Sequence, residues 1–148
     1  EEYSQLDPLA RGKLFKEVKE EKNWSYNKIA QEINKSSSYV ANSVRLLDLP
    51  IAIKDGLLGN LISEGHARAL ASLDNQRDCV EVYKEVLKNH ASVRETEQMV
   101  RDKREKILEK QKEQAEEAKK VLEKVFKQKF EKVKLTKTKE RIKINLYE

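Results

Sequence analysis

The sequence predicts a mainly α-helical protein: a multi-helix domain built around a helix-turn-helix, then a long charged linker helix, then a small unit of one helix and a β-hairpin. Three observations carry this. Only four Gly and two Pro interrupt 148 residues, of which 39% are charged. Apolar residues recur at helical spacing in segments that open on capping residues. Near the C-terminal end the apolar period changes from helical to alternating.

The elements follow in order. Asp7-Pro8 opens a helix carrying Leu14, Phe15 and Val18, because Pro is tolerated in a first turn. Ser25 caps a second, with Ile29, Ala30 and Ile33. A third starts near Ser36 or Ser37 and is expected to bury Val40, Val44 and Leu47 on one i, i+4, i+7 stripe; Pro50 ends it. Short helices follow around Ile53–Leu58, closed by Gly59-Asn60; from Ser63 through His66, Ala67, Leu70 and Leu73; and from Gln76 to Lys88 with Val80, Tyr83 and Leu87. Ser92-Val93-Arg94-Glu95 reads as a capping box that starts the next helix.

Residues 1–99 thus form one domain. The linker, residues 100–117, has from Arg101 onward little besides Ile107 and Leu108 to bury, so this stretch is expected to be a solvated helix or a tether. In residues 118–148, Ala118, Leu122, Val125 and Phe126 form an apolar stripe. Val133, Leu135, Ile142, Ile144 and Leu146 then alternate with polar neighbours, as in a half-buried strand pair. One helix and one hairpin cannot bury a sufficient core alone, so Leu122, Val125, Phe126, Ile142, Ile144 and Leu146 are expected to meet a second copy in a homodimer.

Charge is uneven. Residues 101–148 hold 17 Lys and Arg against 10 Asp and Glu, whereas the first hundred residues are close to neutral. The longest uncharged stretches, such as Ala69–Leu73, are too short to span a bilayer, and the first twenty residues are too charged for a secretory signal. A soluble, cytoplasmic protein is expected. Cys79 is the only cysteine, which leaves no internal disulfide. It forms no metal-ligand spacing with His66 and His90, and the sequence contains no Gly-rich phosphate loop and no Ser-His-Asp set. No catalytic activity, metal or cofactor is predicted for this stretch. It opens on Glu1 rather than Met and is expected to be part of a longer protein.

The stretch KIAQEINKSSSYVANSVRLL, residues 28–47, is where the charged surface gives way to Ser, Tyr and Asn. Ala30 is small where two helices would cross, and Asn34 suits a turn that needs a left-handed backbone. Ser36 is placed to cap. This is the helix-turn-helix pattern, in which the second helix enters the major groove N-terminal end first. Ser37, Ser38, Asn42 and Arg45 would then face bases or flanking phosphates of double-stranded DNA. Asn can pair with adenine at two points, and Arg can grip guanine or phosphate. Lys35, Ser36 and Tyr39 border the same face, and the free N–H groups of the first turn can hold a phosphate.

The run INKSSSYVANSVRLLDLP, followed by LISEGHARALASL and SVRETEQMV, resembles the central DNA-binding region of ParB-type chromosome and plasmid partition proteins, the centromere-binding family. QLDPLARGKLFKEV is similar to the segment leading into that family's helix-turn-helix, and residues 121–148 more weakly to its C-terminal dimerisation unit. The resemblance implies a palindromic centromere site, a ParA-type ATPase partner, and CTP-binding motifs upstream of this stretch. Family members often carry Gly in the turn and Arg or Gln after the Lys-Ser pair, where this chain has Asn34 and Ser37. They commonly have Gly near Phe130.

Ser63-Glu64-Gly65-His66-Ala67-Arg68 matches a family phrase, from which His66 and Arg68 become candidate phosphate contacts; a cap followed by core-facing alanines explains Ser63, Gly65 and Ala67 equally well. Lys134, Lys137, Lys139, Arg141 and Lys143 cluster where a sequence-independent grip on DNA would be placed. Two other functions stay open: a nucleoid-occlusion or transcriptional regulator using the same module, and a helical scaffold that binds no DNA.

Overall fold

The computed structural model describes the backbone of residues 5–144 and the side chains of residues 5–129. Its elements are α1 (Pro8–Lys22), α2 (Tyr26–Glu32), α3 (Ser37–Arg45), a 3₁₀ turn (Leu46–Asp48), α4 (Ile51–Leu58), α5 (Glu64–Leu70), α6 (Gln76–Asn89) and α7 (Val93–Ile144). The chain divides into two units, Glu1–Arg104 and Glu105–Glu148.

Local chemistry sets most boundaries of the first unit. The Asp7 carboxylate accepts from the Leu9 and Ala10 N–H groups at 2.9 Å each, with Pro8 where no N–H is needed. Ser25 Oγ accepts from Lys28 N–H at 3.2 Å, and Ser36 Oγ from Tyr39 N–H at 3.1 Å. Chain reversals use left-handed residues: Asn23, Asn34, Asn60 and His90 have φ of 51°, 52°, 57° and 48°. The expected turn at Asn34 is among them.

The capping box at the start of α7 is complete. Glu95 Oε2 accepts from the Ser92 N–H and hydroxyl, both at 2.7 Å, while Ser92 Oγ accepts from Glu95 N–H. These bonds favour the charged carboxylate, the Ser92 N–H most, and hold the Glu95 pKa below its usual 4.5. A depressed carboxylate stabilises fully above its unfolded pKa, and the effect is lost as pH falls through the folded value. Glu95→Gln is therefore expected to lower Tm at pH 7, with the difference from wild type shrinking below about pH 4.5; thermal unfolding followed by circular dichroism at stepped pH measures both.

Two apolar clusters fill the unit. Phe15, Ile29, Ala30 and Val40 join α1, α2 and α3. Leu46, Ile53, Leu57, Leu70, Val82, Tyr83, Val86 and Val100 belong to the larger cluster, which runs from the 3₁₀ turn to the start of α7. Within α6 the buried residues are Cys79, Val82, Tyr83 and Val86; the expected Val80 and Leu87 are half-buried at the edges of that stripe. Burial pushes the Cys79 thiol pKa up, and its Sγ donates to the Leu70 and Leu73 carbonyls.

Three expectations need correction. On α3 the stripe was read as Val40, Val44 and Leu47, yet the fully buried residues are Val40, Ser43 and Leu46, with Val44 and Leu47 half-buried. The chain tightens into a 3₁₀ turn after Arg45, which moves Leu46 into the core, and Ser43 faces α1. The first unit continues beyond residue 99. Val100 is buried, Lys103 reaches Asp78 at 3.2 Å and Glu81 at 2.7 Å, and Arg104 donates to the Ser72 carbonyl.

The strand pair expected from Val133 onward is replaced by helix: α7 runs through Ile144, and no strand occurs among the described residues. Between Leu135 and Ile142 the sequence TKTKER has no Gly, Asn, Asp or Pro to reverse the chain. A lone hairpin is marginal in water, whereas a helix satisfies its backbone locally and suits Lys, Glu and Arg. The side chains of Ile142 and Ile144, and Leu146 altogether, lie outside the described residues.

In the second unit, residues 105–129 are exposed apart from half-buried Ile107. Leu122, Val125 and Phe126 stand 59%, 45% and 67% exposed, an apolar stripe left uncovered among the described residues. No helix among the described residues is long and apolar enough to cross a membrane.

Candidate nucleic-acid interface

The helix-turn-helix is built from the inside outward. On its inner side α3 is held by Val40 in the first cluster and by Ser43, whose hydroxyl donates to the Tyr39 carbonyl at 2.9 Å. Gly12 of α1 lies against this point. A Cβ added there would sit 2.3 Å from the Ser43 carbonyl oxygen, so the α1–α3 crossing needs glycine. With that side fixed, the 100° step of a helix turns Ser38, Asn42 and Arg45 to the opposite side at i, i+4 and i+7. Ser38 and Arg45 are exposed, Ser37 and Asn42 partly so.

The N-terminal end of α3 adds its own donors. Ser36 Oγ is occupied as the cap, but the Ser37 and Ser38 N–H groups lie in the first turn, where no helical carbonyl is available. Lys35 is exposed beside them. A groove formed by Ser25, Tyr26, Asn27, Ser37, Ser38 and Ala41 joins the start of α2 to the start of α3. At the other end Arg45 lines a cleft of ≈ 400 Å³ together with Asp48, Ser72, Asp74, Gln76 and Arg104.

Tyr39 is not a free fingertip. Its ring meets Phe15 edge-on at 6.2 Å, with the Arg11 guanidinium 5.4 Å and the Lys35 ammonium 5.9 Å from its centroid. Arg11 is buried and pairs with Glu64 at 2.7 Å, tying α1 to the start of α5 beneath the recognition helix. Sequence reasoning passed over Arg11 and Gly12. For Gly12 a signal existed: glycine inside a helix costs about 1 kcal/mol relative to Ala, which marks a close approach. Arg11 gave none, because its partners are distant in sequence.

His66, expected as a phosphate contact, is hydrogen-bonded inside the domain. Its Nδ1 accepts from the Ser63 N–H at 3.1 Å and lies 2.7 Å from the Ser63 hydroxyl, which makes Nε2 the protonated nitrogen that donates to the Ala91 carbonyl at 3.0 Å. Both ring nitrogens are thus engaged within the domain. His66 pins the start of α5 to the loop before α7. His66→Ala is expected to destabilise the domain by about 1–2 kcal/mol, the range for a lost cap, while duplex affinity at temperatures well below Tm stays within twofold; urea unfolding and duplex titration separate the two. Arg68 is exposed and has no partner among the described residues. The side chains of Lys134, Lys137, Lys139, Arg141 and Lys143 lie outside the described residues.

A three-helix core that holds a short helix by its back and presents polar tips and an open N-terminus defines a helix-turn-helix domain of the DNA-reading class. The sequence matches the family description "ParB HTH domain" over residues 4–105, and the chain belongs to that family. The nucleoid occlusion protein of Listeria monocytogenes serotype 4b is 32% identical over 98 residues, 66% of this chain and 34% of that protein. The probable chromosome-partitioning protein ParB of Treponema pallidum is 36% identical over 95 residues, 64% of this chain and 29% of that protein. Among solved structures, C-terminally truncated ParB from Caulobacter crescentus, complexed to the centromeric parS site, matches with TM-score 0.62 and 37% identity, covering 66% of this chain and 51% of that one. This chain spans about a third of the length of the curated relatives it matches. The matched family domain is a DNA-binding one, not a catalytic one.

Proposed function

We propose that this chain reads a centromere-like palindromic DNA site through α3 and serves chromosome or plasmid partition. The observation that carries the reading is the outward row Ser38, Asn42, Arg45 on a helix fixed by its opposite side. Hydroxyl, amide and guanidinium tips at helical spacing suit base edges and phosphates in a major groove. The Caulobacter relative, described as complexed to parS, supports the same use of the fold. The uncovered stripe of Leu122, Val125 and Phe126 supports pairing with a second copy. A two-fold dimer then calls for a two-fold site. A ParA-type ATPase partner belongs to this reading.

Selection of bound duplexes from a random pool tests it. An enriched palindrome is expected; a pool that stays random contradicts it and favours a helical scaffold. The similarity to the Listeria nucleoid occlusion protein supports a second reading, in which the same domain marks dispersed sites. Genome-wide binding separates the two: one cluster near a replication origin, or many scattered peaks.

The basic tail has a separate role in this proposal. Changing Lys137, Lys139 and Lys143 to Ala should weaken binding to all sequences equally and flatten the slope of log K against log salt by roughly 0.9 per lost phosphate contact. A loss confined to one sequence contradicts that role.

A further inference from the structure

We propose that the junction of α1 and α2 is a second phosphate-contacting surface, in which Lys19 and Lys22, held over the rings of Tyr26 and Trp24, grip the DNA backbone beside the bases that α3 faces. The inference rests on the duplex-binding reading above and extends it to residues outside the helix-turn-helix pair. The Lys19 ammonium lies 4.6 Å from the Tyr26 ring centroid, and the Lys22 ammonium 4.8 Å from that of Trp24. Both lysines are exposed, and neither has a carboxylate within 4 Å among the described residues, although Lys22 adds a weaker attraction to Glu32, whose carboxyl is held down mainly by Lys28. Lys28 differs: it also approaches Trp24, at 5.6 Å, but its ammonium is paired with Glu32 at 2.6 Å.

Position selects the partner. Tyr26 lines the same groove as Ser37 and Ser38, so the Lys19 ammonium above its ring is continuous with the N-terminal end of α3. In a helix-turn-helix complex the recognition helix enters the groove while the helix before it crosses the backbone. The start of α2, and the end of α1 that leads into it, therefore face phosphates rather than base edges. A flexible lysine loses rotamer freedom when it grips a phosphate. The ring contacts already narrow that freedom, and an ammonium can keep its ring while a phosphate approaches from the open side. Lysines in a last helical turn also offset the helix dipole, a role that would leave DNA binding unchanged on their removal.

The test uses the full chain with the double change Lys19→Gln and Lys22→Gln, both at exposed positions, with circular dichroism checking the fold. Binding to an arbitrary duplex and to a selected site is titrated across salt concentrations. The slope of log K against log salt is expected to fall by roughly 1.8, two phosphate contacts at 0.9 each, with equal loss on both duplexes. Trp24 is the only tryptophan, so its fluorescence reports this surface directly. In the wild-type complex it is expected to be shielded from acrylamide quenching relative to the free chain. An unchanged salt slope, or a Trp24 equally open to acrylamide with and without bound duplex, overturns the proposal while leaving the α3 reading intact. A wild-type chain that binds no duplex at all sinks both.

Discussion

Gly12→Ala is expected to destabilise the helix-turn-helix domain by about 3 kcal/mol, the upper part of the usual overpacking range. In an ordinary exposed helix the same change would stabilise by roughly 1 kcal/mol, because Ala loses less backbone freedom than Gly. Here the added methyl would lie 2.3 Å from the Ser43 carbonyl oxygen, a backbone atom that cannot swing aside. Either α1 or α3 must move, and with it Val40 and Phe15 lose their packing. Urea denaturation should show a lower midpoint with an unchanged slope. Ser43→Gly should not rescue the variant, since the clash is with the carbonyl and not the side chain. An unchanged or raised midpoint would show that the helices cross differently.

Asn42→Ala should act on recognition and spare the fold. Asn42 is half-exposed on α3 and its side chain makes no hydrogen bond among the described residues, and Ala is the better helix former, so Tm is expected to stay level or rise slightly. If Asn42 pairs with adenine at two points, its loss removes about 1–3 kcal/mol of discrimination at one base position per half-site. That is roughly five- to 150-fold in affinity per half-site of the selected sequence, with little change on random duplex. Arg45→Ala separates two contacts in the same assay: loss at one base position marks a base edge, and a uniform loss with a shallower salt slope marks a phosphate. If both variants bind every duplex as wild type does, α3 is not the reading element.

How much was legible depends on whether the cause was local. Asp7, Ser25, Ser36 and the Ser92–Glu95 pair cap their helices through groups two or three residues away, and such signals stand in the sequence. Asn34 was readable for the same reason, since few side chains tolerate its backbone angle. The outward polar row of α3 was legible because Ser38, Asn42 and Arg45 break the Lys and Glu habit of the rest of the surface. The strand pair was misread because alternation alone does not say whether a partner surface exists to receive it. The hydrogen bond of His66 to the Ala91 carbonyl was not legible, because that acceptor is supplied by a loop remote in sequence.

By itself the sequence determined the helical class, the place of the turn and the polar row facing outward, all consequences of spacing within a few residues. Tertiary structure alone decided which side of α3 is fixed, through Gly12 against Ser43, and what Arg11, Tyr39 and His66 are committed to. It also carried the first unit on to Arg104. Those outcomes depend on groups brought together from distant parts of the chain, whose closeness is fixed only when the apolar clusters close around them.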